Sequence, residues 1–419
     1  LERRAGNIGD YDTPYSAKWI LKQAIDTSSY YALYFALAKL EKEEGNIGSY
    51  EEDESYKGIL YKAAEVSNDA SPYLKLADLE IKEGNLGDYL TKYSAKWFLV
   101  QAMNKFNYSA PYLHLADLET KAGNIGDYNK PYSARWILKE AMSISNDSAA
   151  YLRLADIEIA AGNTGYYNKP YSARWILKKA IQNSNDFIPY LRLAELEVRE
   201  GNVGDYKKKY SAKWLLREGI KDIGNPKLLI YLGNIELKEG NSGDYNTAYS
   251  AKWLLKKAAE ISNKPDAYLR LAEIEMEDDN VGSYEQPFSV KWLLKKALKT
   301  AETHEPFLQL AELESEINNI GNYDQPLSVK WLLKKSLKVA KDPSPYLQLA
   351  EIEIKEGNEG DFALKYSARW LLKAAIDRFE DPRPYLRLAD IQADTGKMGG
   401  EKEMYSTMWC LKWAAKYSS

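Results

Sequence analysis

Cysteine is all but missing from this 419-residue chain: Cys410 stands alone. That excludes an internal disulfide framework and leaves the compartment open, because an oxidising space merely permits disulfides. Apolar residues are 45% of the chain, yet no uninterrupted apolar run approaches the roughly 18 to 20 residues that span a bilayer, so no transmembrane helix is expected. No signal peptide is visible at Leu1, although a mature chain would have lost it. An excess of one charge is also absent. The 57 basic and 61 acidic residues leave a net charge of −4, which argues against a nucleic-acid binder needing a concentrated positive field. The only two histidines, His114 and His304, have no partner at ligand or triad spacing and read as surface residues, and Cys410 has no histidine nearby. Neither an EF-hand loop nor a P-loop is present, and strand signals are lacking throughout. No catalytic residue, metal or cofactor is expected.

What the sequence has instead is repetition, which must be read before any single residue. "GNIGDYNKPYSARWILKEAM" begins at Gly123, "GNVGDYKKKYSAKWLLREGI" at Gly201 and "GNSGDYNTAYSAKWLLKKAA" at Gly240. With the first position of "GN" as origin, copies fall at Gly6, Gly45, Gly84, Gly123, Gly162, Gly201, Gly240, Asp279, Asn318, Gly357 and Gly396, ten intervals of 39 residues without insertion or deletion. The second glycine (Gly9 through Gly399) and a serine (Ser16 through Ser406) recur in all eleven. Residues 1–419 therefore read as a single array of about ten to eleven repeats, partial at both ends, rather than as several domains.

Each repeat reads as two helices. From Ser16, a good N-cap, Tyr15 and Ile20 stand at the N′ and N4 positions of a hydrophobic staple, and Ala17, Ile20, Leu21, Ala24 and Ile25 form one stripe. In "SPYLKLADLEIKEGN" Ser71 can cap, Pro72 suits the first turn, Tyr73, Leu76 and Ala77 line one side, and Gly84 supplies a left-handed stop. The "GNxGDY" stretch is the turn into the next repeat. Its lone aspartate is thin ligation for a metal, so its glycines are read as providing positive φ. The fold class is all-α: a right-handed superhelical solenoid of antiparallel helix pairs with an exact 39-residue repeat.

"AKWLLKKAA" (Ala251 to Ala259), followed by "YLRLAEIE" (Tyr268 to Glu275) and a turn, resembles the Sel-one-like repeat, a relative of the tetratricopeptide repeat. Ala251, Leu254, Leu255, Lys257, Ala258 and Ala259 carry the match. The unit is a few residues longer than is typical, and the family's leucine-glycine reads Leu271-Ala272. The resemblance implies a superhelical adaptor that binds or organises proteins, in bacteria often in the cell envelope, including scaffolds of polysaccharide export machines. It favours a periplasmic or extracellular setting and implies no catalysis.

At 100° per residue Trp19 lies about 180° from the core stripe, so it and Trp97, Trp136, Trp175, Trp214, Trp253, Trp292, Trp331, Trp370 and Trp409 are expected to form a ladder on the open, usually concave, face. Rungs would be about 8 to 10 Å apart. Gly58 breaks the series, with Tyr56 and Tyr61 available to fill the gap. Three purposes remain open: lateral packing between first helices, a repetitive ligand such as a linear glycan or extended peptide, and self-association.

A second phase carries Glu2, Glu41, Glu80, Glu119, Glu158, Glu197, Glu236, Glu275, Glu314 and Glu353, with Gln392 as the eleventh copy. It falls on the apolar side of the second helix. The glutamine substitute favours a structural acceptor over a proton-transfer group, with donors from the following turn's backbone or a tyrosine hydroxyl. Basic residues of the first helix (Lys252, Lys256, Lys257) and acidic ones of the second (Glu273, Glu275, Glu277) read as a solvated surface of weak ion pairs.

The function expected is a non-enzymatic scaffold mediating protein assembly, with a glycan or extended-peptide binder as the alternative. The ends suggest a third reading. "LERRAGNIGDY" begins inside a second helix and Ser419 follows a first helix, so the sequence reads either as a window on a longer protein or as a head-to-tail filament subunit with Leu411 and Ala415 uncovered.

Overall fold

A computed structural model describes residues 8–28, 30–262 and 264–418; the expectations at Leu1, Glu2 and Gly6 lie outside them. Among the described residues there are 21 α-helices and no strand. They are 8 to 13 residues long, and each packs on a chain neighbour. First helices begin at Ala17, Tyr56, Ala95, Ala134, Ala173, Ala212, Ala251, Val290, Val329, Ala368 and Thr407, in step with the sequence period. The chain forms two compact units, Leu1–Ile223 and Gly224–Ser419.

The amphipathic stripe accounts for the packing. In the first helix Ala134–Ile144, Ala134, Ile137, Leu138 and Ala141 are fully buried, and the next helix, Ser148–Ala160, buries Tyr151, Leu154 and Ala155. In the carboxy-terminal unit the same positions merge into one cluster running from Leu255 to Ala414.

The turn explains why "GNxGDY" is written so strictly. A helix leaves its first backbone N–H groups without partners, and here the turn supplies them. Ala134 N and Arg135 N donate to the Asn124 and Ile125 carbonyls, and Trp136 N donates to Ser133 Oγ. Ser133 Oγ in turn donates to Asp127 O at 2.7 Å. Gly126 has φ +56°, and a Cβ there would stand 2.3 Å from Ser133 Cβ, so any side chain would displace the serine cap. Asp279 and Asn318, which replace the first glycine of the motif, also adopt positive φ, as short polar residues tolerate.

One expectation of capping is corrected. Ser71 does not cap: it is the first residue of helix Ser71–Lys82, behind Ala70, and its Oγ donates to Asp69 Oδ2 at 2.8 Å. Gly84 does end that helix in the left-handed region, φ +78°.

Less expected is the backbone at Tyr15, Tyr93, Tyr132, Tyr171, Tyr210, Tyr249, Phe288, Leu327, Tyr366 and Tyr405, each at φ between +59° and +67°. Ser133 N donates to Lys130 O across this residue, closing a turn of the type II sign pattern that normally needs Gly or Asn at that place. A non-glycine residue there costs about 1 to 2 kcal/mol. Two aromatic contacts offset it, at about 0.5 to 1.5 kcal/mol each: Tyr171 stacks on Tyr128 of the preceding repeat at 4.1 Å and meets Trp175 at 5.4 Å.

Candidate functional site

Two recurring constellations occupy the positions singled out in the sequence. The first surrounds the buried glutamates. Glu158 is 1% exposed and receives Tyr128 Oη at 2.8 Å, Arg135 Nε at 2.5 Å and Asn163 Nδ2 at 2.6 Å. The pattern returns at Glu41 (Tyr11, Lys18, Asn46), Glu80 (Tyr50, Lys57, Asn85) and Glu197 (Tyr167, Arg174, Asn202). In the carboxy-terminal unit it returns at Glu275, Glu314 and Glu353, each receiving a tyrosine, a lysine and an asparagine. Glu119 has Lys96 Nζ at 2.8 Å and Asn124 at 2.7 Å, and Glu236 receives Asn241 at 2.6 Å. Where all three donors meet it, the carboxylate ties the turn before a first helix, that helix itself and the turn after the second helix.

The asparagine and the cation are partners that the sequence reading did not assign. Lys252 is buried, 2.7 Å from both Glu275 and Asp278, so this basic phase is not part of a solvated surface. Both signals were in the sequence, since Lys or Arg stands at this phase in the first ten copies and Asn after the turn's first residue in the same ten.

Burial alone would raise the carboxyl pKa of Glu41 and Glu314, but the hydrogen bonds from Lys18, Tyr11 and Asn46, and from Lys291, Asn319 and Tyr284, outweigh it and hold both below the ordinary value. Burial and the adjacent carboxylate push the Tyr50, Tyr128 and Tyr245 hydroxyls far above theirs.

The second constellation is aromatic. All ten tryptophans, Trp19 through Trp409, are partly buried. Trp97, Trp136 and Trp175 of the amino-terminal unit each lie 5.4 to 5.8 Å from the tyrosine of positive φ in their own turn. Trp292, Trp370 and Trp409 of the carboxy-terminal unit repeat this with Phe288, Tyr366 and Tyr405 at 5.2 to 5.4 Å. Lysines continue the series: Lys296 lies 4.9 Å over Trp292 and Lys335 5.2 Å over Trp331, while Lys256 and Lys334 reach Phe288 and Tyr366 of the next repeat at 5.4 and 5.8 Å. At Gly58 a Cβ would stand 1.9 Å from the Glu52 carbonyl, so no tryptophan fits. Tyr61 instead meets Trp97 at 6.5 Å and Tyr93 at 5.3 Å.

Outside these constellations, His304 is not a surface residue. It is 4% exposed, with Nε2 3.0 Å from Asp342 Oδ2 and Nδ1 receiving Lys341 N, because it begins a helix that packs under the loop of the next repeat. His114 is half-exposed and 3.7 Å from Asp78. Cys410 is fully buried, its thiol pushed up to about 12 by burial. Among the described residues no group of three or more His, Cys, Asp or Glu is placed to hold a metal ion, and no helix is long and apolar enough to cross a membrane.

No family model and no curated protein sequence matches the chain. Solved structures similar to it include a Sel1 repeat protein from Oxalobacter formigenes, at 15% identity and a TM-score of 0.44 over 81% of this chain and 92% of that one. Yeast Tom70 is similar at 14% identity and a TM-score of 0.33, over 95% of this chain and 91% of its own. The chain is an all-α array of helical repeats in which neighbouring helices pack in pairs.

Proposed function

We propose that this protein is a non-enzymatic scaffold that assembles other proteins, and that a partner docks on the tryptophan-bearing face of the first helices. The observation that carries this reading is the recurrence of a partly exposed indole whose own backbone N–H is already bound by the serine cap, as Trp331 N is by Ser328 Oγ at 3.3 Å. What rungs such as Trp292 and Trp331 offer is an aromatic surface with a lysine ammonium beside it, and tryptophan is among the residues that anchor interfaces. The recurring Tyr–Glu–cation sets are closed to substrate: the glutamates are 1 to 2% exposed, and one such as Glu314 already receives a tyrosine, a lysine and an asparagine.

Capture from the source cells on immobilised protein tests the reading, comparing wild type with Trp292→Ala plus Trp331→Ala. A protein retained by wild type and lost from a variant of unchanged helicity supports it. Identical retention on both overturns it, and association of the wild type with itself that the variant abolishes would give the face to a second copy instead.

A further inference from the structure

The chemistry of this face in the carboxy-terminal unit narrows the partner, if the docking reading above is accepted as its footing. First helices Ala251–Ser262, Val290–Leu298, Val329–Ser336 and Ala368–Ile376 hold eleven basic residues and one acidic residue, Glu260. Four of the eleven, at the phase of Lys252, are buried. The other seven stand beside the rungs, Lys296 and Lys335 directly over indoles. The acids that meet four of the seven do so in surface pairs, Lys257 with Glu260 at 3.2 Å, Lys295 with Glu285 at 3.3 Å, Lys334 with Asp324 at 3.1 Å, and Lys373 with Asp377. Such pairs are weak, so an incoming carboxylate competes with them at little cost.

Spacing then selects a backbone. Packed helices stand about 8 to 10 Å apart, and a polyproline II helix advances about 9.3 Å per three-residue turn, so one side of it meets successive rungs in register. A β-strand returns to the same face about every 6.6 Å and falls out of step. Aromatic-lined grooves are the surfaces on which proline rings pack, and a polyproline II segment has little conformational entropy left to lose.

We propose that the first-helix face of the carboxy-terminal unit binds an acidic, proline-rich segment of another protein in the polyproline II conformation, one turn per repeat, with proline against Trp253, Trp292, Trp331 and Trp370 and a carboxylate at the lysine pair beside each of the first three and at Lys373 beside the fourth.

Fluorescence anisotropy of a labelled peptide of about four Pro-Pro-Glu turns, titrated with the full chain, tests it. Binding should weaken with salt, should be absent for the Pro-Pro-Lys analogue, and should fall at least about tenfold for the flexible Gly-Ser-Glu analogue. Lys296→Gln plus Lys335→Gln should cost about tenfold without altering the circular dichroism, as should Trp292→Ala plus Trp331→Ala. Equal affinity for Gly-Ser-Glu, or indifference to the lysine pair, overturns the proposal, as does binding of oligogalacturonate where the peptide fails. If no peptide binds yet the captured protein is still lost on tryptophan replacement, this inference falls and the docking reading stands.

Discussion

The buried glutamate can be dissected with a substitution the chain already contains. Where Glu158 is partnered by Asn163, the eleventh copy has Gln392 with Lys397 in the asparagine's place. Gln392 Nε2 donates to the Tyr405 carbonyl at 2.8 Å, the bond that Asn163 Nδ2 makes to Tyr171 O at 3.0 Å, and Arg369 donates to Gln392 Oε1 at 3.3 Å. Glutamine thus provides both acceptor and donor, and it does so where no asparagine amide competes. Glu158→Leu leaves the Tyr128 hydroxyl without an acceptor and takes one of their two from Arg135 and Asn163. Arg135 keeps the Gly126 carbonyl at 2.8 Å and is 20% exposed, which moderates the loss to about 2 to 4 kcal/mol. Glu158→Gln sets its own amide against Asn163 Nδ2 and should cost about 1 to 2 kcal/mol. Adding Asn163→Lys should then recover about 1 kcal/mol of coupling. Because long repeat arrays can unfold piecewise, the assay is hydrogen exchange of peptides covering Ser148–Ala160 and Ala173–Asn183. Leucine and glutamine variants that exchange alike, or an Asn163→Lys change that further weakens the glutamine variant, would refute the reasoning.

Other consequences are equally direct. At Tyr171, φ +60°, the Ala variant should be less stable than the Gly variant by about 1 kcal/mol, since both lose the rings but only Gly relieves the backbone; chemical denaturation giving the opposite order would show that the turn relaxes. Glu41 and Glu314 lie below their ordinary value, so as pH falls the unfolded chain takes up protons first; their stabilisation is complete above about pH 4.3 and lost below it, visible as a lower urea midpoint. Tyr50, Tyr128 and Tyr245 are raised, so stability is complete below about pH 10 and lost above it. Their tyrosinate absorbance should appear only with loss of helical circular dichroism. The partly buried tryptophans should show acrylamide quenching between that of free indole and that of a core residue; full protection in the isolated chain would remove the docking face.

Much of this architecture is local and therefore legible in one sequence. The period, the serine cap, the stripe of Ala134, Ile137, Leu138 and Ala141, and the left-handed stop at Gly84 follow from rules acting within about a dozen residues. The inward phase of Glu158 follows from helical geometry alone.

Which particular side chains meet was not legible, because that is chosen by how helices and repeats pack. A tyrosine hydroxyl was expected on Glu158, and Tyr128 supplies it across 30 residues; Arg135, from a different helix, closes on it across 23, and a basic residue followed by tryptophan looks like a solvated edge until the second helix folds over it. Tyr171 accepts a left-handed backbone only because Tyr128 waits 43 residues away to stack on it, a compensation no local propensity encodes. His304 was misread for the same reason, since Asp342, its acceptor, belongs to the next repeat. Sequence determined which faces are apolar and where helices start and stop, since those are properties of a single helix; tertiary structure decided which buried charge meets which donor, since burial enforces pairing only after the second helix and the following turn have closed over the first.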